Sequence, residues 1–365
     1  MECAPSIKTQ HNNSITITKA IGIILMVIGH SGCPQLLFSL IYLFHMPLFF
    51  ICSGFFFKEM TTNDSVLLYL RKRIKGLYVP FVKWSVLFLL FHNIFMVIGV
   101  YNSYYGYDGG SSFYALKEMI RKLLMILFTM HDYEELLGGF WFVRALFISS
   151  LFIVFISLLW KTQYRYKYEF VCIFFIVITI LIRRFAPDPE LWRDMSMGSF
   201  GAFFYVFGYL MMKYKRHWQN FYFIFICGIS FFIMSLYFKN GVAMSCGFNK
   251  VIPFSVSAIS GTILTICVSK MLEKCAPYIR SVLYYIGNHT LVILALHFLS
   301  FRFISFLVVL FYGLDTIHIA EHPVVKDVSF SNNYLWIIYT FGGISLPLLI
   351  NKFWQVFIYL IKIHK

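Results

Sequence analysis

Residues 17–32, "ITKAIGIILMVIGHSG", form an apolar run long enough to cross a membrane as a helix, yet they carry Lys19 near the start and His30 near the end. Eleven steps of about 100° come to ~1100°, within ~20° of three full turns, so one helical face holds both residues, roughly 16 Å apart along the axis. Ionisable groups inside a bilayer cost commonly ~3 kcal/mol each, and both therefore need a reason. The plain reading is a lysine that snorkels to the interface and a histidine hydrogen-bonded between helices. The sharper reading is a functional pair, and the surrounding sequence bears on the choice.

Composition extends the membrane reading to the whole chain. Its 365 residues are 59% hydrophobic, 20% aromatic and only 13% charged, with mean hydropathy +0.74. Soluble domains carry roughly 25% charged residues. Apolar runs of about 20 residues, the length that crosses ~30 Å of hydrocarbon, fall at 15–31, 38–57, 77–98, 140–160, 168–183, 197–212, 221–238, 252–269, 282–312 and 334–350. The expected fold is an all-α polytopic membrane bundle of about ten transmembrane helices, a single domain over 1–365. The run 282–312 is long and holds Arg302, which predicts a tilt or a kink. Residues 123–129 are too short to cross and are expected at an interface, and 352–365 read as an amphipathic surface helix. His30 occupies the position three before Cys33 where a lipoprotein signal needs a small or apolar residue, so the first span is expected to remain uncleaved.

A net charge of +15 would suggest nucleic acid in a soluble protein. Its distribution argues for a bilayer instead. Segments 1–19, 58–76, 161–169, 213–217, 270–280 and 352–365 hold 19 Lys and Arg against 5 Asp and Glu, whereas the alternate connections hold 10 against 11. The positive-inside rule then places both termini in the cytoplasm. The eight cysteines show no CxxC pair and no metal-ligand spacing, so no metal is expected; spacing alone does not decide whether Cys33 and Cys246 pair. The connection 99–139, rich in Gly, Ser and Tyr at its start, suits a flexible loop over a sugar site or an ordinary surface loop.

Further polar residues lie where apolar ones are expected. The tight turn "SGCPQ" brings the second helix back antiparallel, so His45 of "FHMPLFFICSGFFFK" is expected at the depth of His30, with Ser53 and Gly54 in the same span. Two facing imidazoles suggest a proton-handling pocket. The run Arg71, Lys72, Arg73, Lys75 before Pro80 serves either as a topology signal or as a phosphate site, where Arg forks and Lys point charges suit a diphosphate. Arg144 in "GGFWFVRALF" has two readings, an ion pair with Glu134 or Glu135 and a contact to substrate. His297 in "YYIGNHTLVILALHF" projects mid-membrane, and Gly287–Asn288 mark a helix start.

These segments resemble the acyltransferase-3 family of integral membrane acyltransferases, and look closest to its fucose 4-O-acetylase-like branch. The matching features are the basic residue, ten residues and His of the first helix; "FHMPLFFICSGFFFK"; a basic run ending in "LYVPF"; "WFVRALF"; "FGAFFYVFGYLMMK"; and "YYIGNHTLVILALHF", in the family's order. The family more often has Arg where Lys19 stands, and Gly76 occupies a position where a paired Arg is expected. The resemblance implies an O-acyltransferase, usually an O-acetyltransferase, that moves an acyl group from cytoplasmic acetyl-CoA or another acyl-CoA to a hydroxyl of a surface glycan or lipid-linked sugar precursor. No cofactor is permanently bound, no nucleic acid is a partner, and a bacterial inner membrane is the expected location. Carried onto this chain, it implies that Lys19, Arg71, Arg73 and Lys75 hold the donor, that His30 and His45 are catalytic, and that Ser53, Trp141, Arg144 and His297 line the substrate pocket. His30 acts as general base for direct attack or is itself acylated first. A membrane transporter of a small solute or glycan precursor is the alternative; it predicts polar residues spread over many helices and internal pseudosymmetry.

Overall fold

The computed structural model describes residues 7–106, 109–131, 134–160, 164–186, 192–239, 241–245, 250–275, 277–326 and 334–363. Among them every regular element is helical. The helices are α1 (Ile7–His30), α2 (Gln35–Tyr42), α3 (His45–Gly54), α4 (Asn63–Arg73), α5 (Val79–Val97), α6 (Leu116–Thr129), α7 (Trp141–Leu159) and α8 (Lys167–Phe185). They continue with α9 (Arg193–Lys213), α10 (Lys215–Trp218), α11 (Phe221–Tyr237), α12 (Val251–Cys275), α13 (Pro277–Asn288), α14 (Thr290–Tyr312) and α15 (Leu335–Ile363). Eight segments of the described residues are long and apolar enough to span a bilayer. The sequence count of ten also included α8 and α11. Of these, α8 carries Lys167, Glu169, Arg183 and Arg184, and α11 is only 17 residues long. The protein is a multi-pass membrane protein built from helices.

Three expected boundaries change. The run 282–312 is not one helix: it breaks at His289 into α13 and α14. Gly287 and Asn288 are poor helix formers, and Gly287 presses on backbone, where a Cβ would lie 2.2 Å from the Thr16 carbonyl oxygen. The basic run before Pro80 is helical rather than a loop. It occupies the last turn of α4 and a π-helical turn, Ile74–Tyr78, in which the Val79 N–H bonds the Ile74 carbonyl. Pro80 has no N–H to offer the ladder and crowds the preceding turn, which the widened turn accommodates. Residues 352–363 form no separate surface helix, since α15 runs unbroken from Leu335 to Ile363, and 364–365 lie outside the described residues. Cys246 lies outside the described residues, and Cys33 is a buried free thiol.

The described helices fall into two compact units. The first comprises residues 1–22, 38–80 and 142–287. Within it α3 and α9 meet backbone to backbone: a Cβ on Gly54 would lie 1.9 Å from the Tyr205 carbonyl oxygen, and one on Gly208 2.1 Å from that of Ile51. Small residues permit this approach in a bilayer, where packing and hydrogen bonds replace the hydrophobic drive between helices. Hydroxyls add links, such as Thr18 to Ser269 at 2.9 Å and Ser149 to the Gly198 carbonyl at 2.8 Å.

The second unit comprises residues 23–37, 81–141 and 288–365. Here α14 packs on α15, with Gly343 against the Phe301 ring and Ser305 hydrogen-bonded to Tyr339 at 3.0 Å. The start of the 99–139 connection is pinned by side chains. Asn93 brackets the Tyr114 backbone with two hydrogen bonds, and Asn102 donates to the Ile317 carbonyl at 2.7 Å.

Candidate active site

The second unit gathers the strongest constellation. Helix α1 ends at His30 because Gly32 adopts φ +79°, a conformation glycine accepts at no steric cost. The adjoining Ser31 donates to the Ile28 carbonyl at 2.8 Å and accepts from Thr340 of α15 at 3.1 Å. That fixes the helix end. The half-buried His30 ring then lies 5.6 Å from the ring of His297 on α14 and 5.0 Å from Phe298.

His297 is fully buried. Its Nδ1 lies 3.0 Å from the Leu294 carbonyl and 3.2 Å from that of Ile293. Carbonyls only accept, so Nδ1 carries the proton and Nε2 is a lone pair. That Nε2 is buried without a hydrogen-bond partner. Gly139 makes room for the ring, since a Cβ there would sit 2.7 Å from Leu294 and 3.8 Å from the His297 Cε1. Phe298 contacts three imidazoles, those of His30, His297 and His322.

Further along α14, Arg302 is 2% exposed and donates to Glu135 at 2.6 Å and to the Glu321 carbonyl. Glu321 in turn accepts from His318 at 2.7 Å and from the Lys326 N–H. Burial and then the charges of Arg302, His297 and Lys326 push His322 down to about 3, which keeps it neutral in this basic corner. Beside this network, His92 bonds Glu134 through Nδ1 and the Ser112 carbonyl through Nε2, both at 2.9 Å, and stacks on Tyr114 at 3.5 Å. Burial and the Glu134 and Glu135 carboxylates push the Tyr101 hydroxyl well above its usual range. With both ring nitrogens engaged, His92 anchors the loop.

The first unit holds the other expected residues. His45 is 2% exposed and opens α3; its Nδ1 donates to the Ile41 carbonyl at 2.9 Å and its ring meets Tyr42 edge-on at 4.8 Å. Ser53 spends its hydroxyl on the Phe49 carbonyl one turn back. Lys19 is half-buried on α1. Of the basic run, Arg71 and Lys75 are exposed, whereas Arg73 folds inward. Its guanidinium lies 4.8 Å over Tyr69 and 5.2 Å over Tyr205 and donates to the Tyr205 hydroxyl. Arg144 pairs with Asp194 of α9, not with Glu134 or Glu135, whose carboxylates are taken by His92 and Arg302. Trp141 is half-buried at the start of α7, in the second unit.

Of the expected site residues, the structure therefore brings together His30 and His297. Sequence reasoning missed the Arg302–Glu135 pair and His322. Arg302 is visible as a charge inside an apolar run, which by itself predicts only a tilt or a kink.

A family profile described as an acyltransferase domain, acyltransferase-3, matches residues 12–352. No curated protein and no solved structure matches.

Proposed function

This chain belongs to the acyltransferase-3 family, and from that premise we propose that it carries an acyl group, usually acetyl, from cytoplasmic acyl-CoA to a hydroxyl of a cell-surface glycan or its lipid-linked precursor. It is a membrane acyltransferase; the donor, the acceptor and a bacterial inner membrane with cytoplasmic termini are our reading. The observation that carries this reading is His30, an imidazole at a fixed helix end beside the buried lone pair of His297.

In the step we propose, the acceptor hydroxyl oxygen attacks the thioester carbonyl carbon while His30 takes its proton. The carbon–sulfur bond breaks, and the proton passes from His30 to the departing coenzyme thiolate. Such general-base assistance supplies roughly 10²–10⁴-fold in rate. Lys19, Arg71 and Lys75 are the cations we assign to the donor's phosphates, with Arg71 and Lys75 open to solvent on α4 and the turn after it. Arg73 shapes that surface through its tyrosine contacts.

Purified protein supplied with radiolabelled acetyl-CoA and a glycan extract should yield labelled sugar. A His30→Ala variant should melt as the parent does and lose transfer. Full activity in that variant would remove His30 from the chemistry, and no labelled product from the parent with any acyl-CoA would remove the donor assignment.

A further inference from the structure

We infer that His92 and Glu134 form a proton-binding site: the pair holds one proton in common, and that proton latches the Ser112–Tyr114 stretch onto α5. The His92 Nε2 lies 2.9 Å from the Ser112 carbonyl, and a carbonyl only accepts, so Nε2 carries a hydrogen. The Nδ1 lies 2.9 Å from a Glu134 carboxyl oxygen. A neutral imidazole with its hydrogen on Nε2 presents only a lone pair at Nδ1, and an ionised carboxylate presents only lone pairs as well. Two acceptors make no hydrogen bond. A further proton therefore lies between them, on Nδ1 as an imidazolium or on the carboxyl as an acid. Either way the pair binds one proton more than a neutral histidine beside a carboxylate, and its net charge is zero.

The surroundings favour that neutral pair. Both side chains are 2% exposed. Among the described residues, the charged and titratable groups around them cancel or stay neutral. Tyr101, its ring 5.0 Å from His92, keeps its proton beside Glu134 and Glu135. Tyr114 stacks on His92 at 3.5 Å and 7°. The Lys122 ammonium lies 4.2 Å over the Tyr114 ring and pairs with Glu118 of its own helix at 3.6 Å. Glu135 is taken by Arg302 of α14. Loss of the shared proton would leave a negative charge in this buried place and set the Nδ1 lone pair against the carboxylate, which is costly away from water. Turning the imidazole out of that contact relieves the repulsion. The same turn breaks the bond to the Ser112 carbonyl and the stack on Tyr114, so the stretch is released.

The test uses full-length protein in lipid bilayers with ¹⁵N-labelled histidine, the His92 signals assigned by their loss in His92→Gln. The parent should show hydrogen on Nε2 of His92, together with either hydrogen on Nδ1 or an Nδ1 that accepts from a protonated Glu134 carboxyl, read in its ¹³C shift. Glu134→Gln supplies the contact without the proton, because its amide N–H can donate to Nδ1. The Ser111 and Tyr114 N–H groups donate to the Asn102 carbonyl at 2.7 Å and to Asn93 at 2.8 Å, and their exchange with deuterium reports release of the stretch. Their exchange in the parent relative to Glu134→Gln at the same pH should accelerate as pH rises, by up to about tenfold per pH unit for the loss of one proton. Comparison at equal pH removes the base catalysis of exchange itself. His92 with hydrogen on Nδ1 alone, or a ratio that stays flat with pH, would overturn the inference. The parental spectrum decides the question even if Glu134→Gln does not fold.

Discussion

Arg302 donates to Glu135 at 2.6 Å, with the arginine side chain 2% and the glutamate 9% exposed, and the two lie 167 residues apart in sequence. Removing one member of such a pair leaves a buried charge and costs about 3–5 kcal/mol, whereas replacing both by apolar groups of similar size is often neutral. Arg302→Met and Glu135→Leu should each lower the melting temperature in a fixed detergent sharply, and the double variant should recover much of the loss. Additive losses in the double variant would show that the two side chains act separately.

Gly54→Ala should be among the most damaging single-methyl additions. The new carbon would meet the Tyr205 carbonyl at 1.9 Å, and a backbone atom cannot move aside as a side-chain tip can. Gly76→Ala is the control, because nothing lies within 4 Å of its Cβ position. Size-exclusion profiles of the two variants should diverge, the first aggregated and the second like the parent. A monodisperse Gly54→Ala protein would mean that α3 and α9 can separate at little cost.

Arg71→Ala combined with Lys75→Ala should weaken coenzyme A binding about tenfold or more in calorimetry, given ~1.5–3 kcal/mol per hydrogen bond to a charged group. The melting temperature should hold, since both side chains are exposed. Arg73→Ala should lose stability as well, because it empties the space over Tyr69 and Tyr205. Unchanged coenzyme affinity in the double variant would return those cations to a role in membrane topology.

His322 supplies a pH dependence whose sign is fixed by its depressed value. It lies near 6.5 when unfolded and is pushed down to about 3 in the fold, chiefly by burial. The unfolded chain therefore binds the extra proton first. The stability this group contributes is intact above about 6.5 and drains away as pH falls toward about 3, by at most ~1.4 kcal/mol per pH unit. His322→Gln should flatten the fall in unfolding midpoint between those limits; an equally steep fall would assign the slope to other groups.

Much of the helical layout was legible in the sequence, because apolar runs and basic connections alternate along the chain. The break at His289 was half-legible: Gly287–Asn288 read as a helix start, but the Thr16 backbone that demands a glycine is distant in sequence. Partner choice was the weakest reading. For Arg144 the sequence leaves open an ion pair with the nearby Glu134 or Glu135 and a contact to substrate, while its acid is Asp194, fifty residues on. Arg302 was read only as a bend, because apolar periodicity contains no record of which carboxylate returns to meet it. His297 was visible as a polar residue in a span, but which of its nitrogens is committed follows only from the helix carbonyls beneath it.

At 29 residues, α15 is about 44 Å long if straight, against ~30 Å of hydrocarbon. Either it leans, bends at Pro347, or pushes its exposed Phe353, Trp354, Phe357 and Tyr359 into the headgroup layer, where aromatic rings settle well. The chain thus contains its own gauge of bilayer thickness: in a series of lipids from short to long acyl chains, the inclination of this last rod should be the first quantity to change.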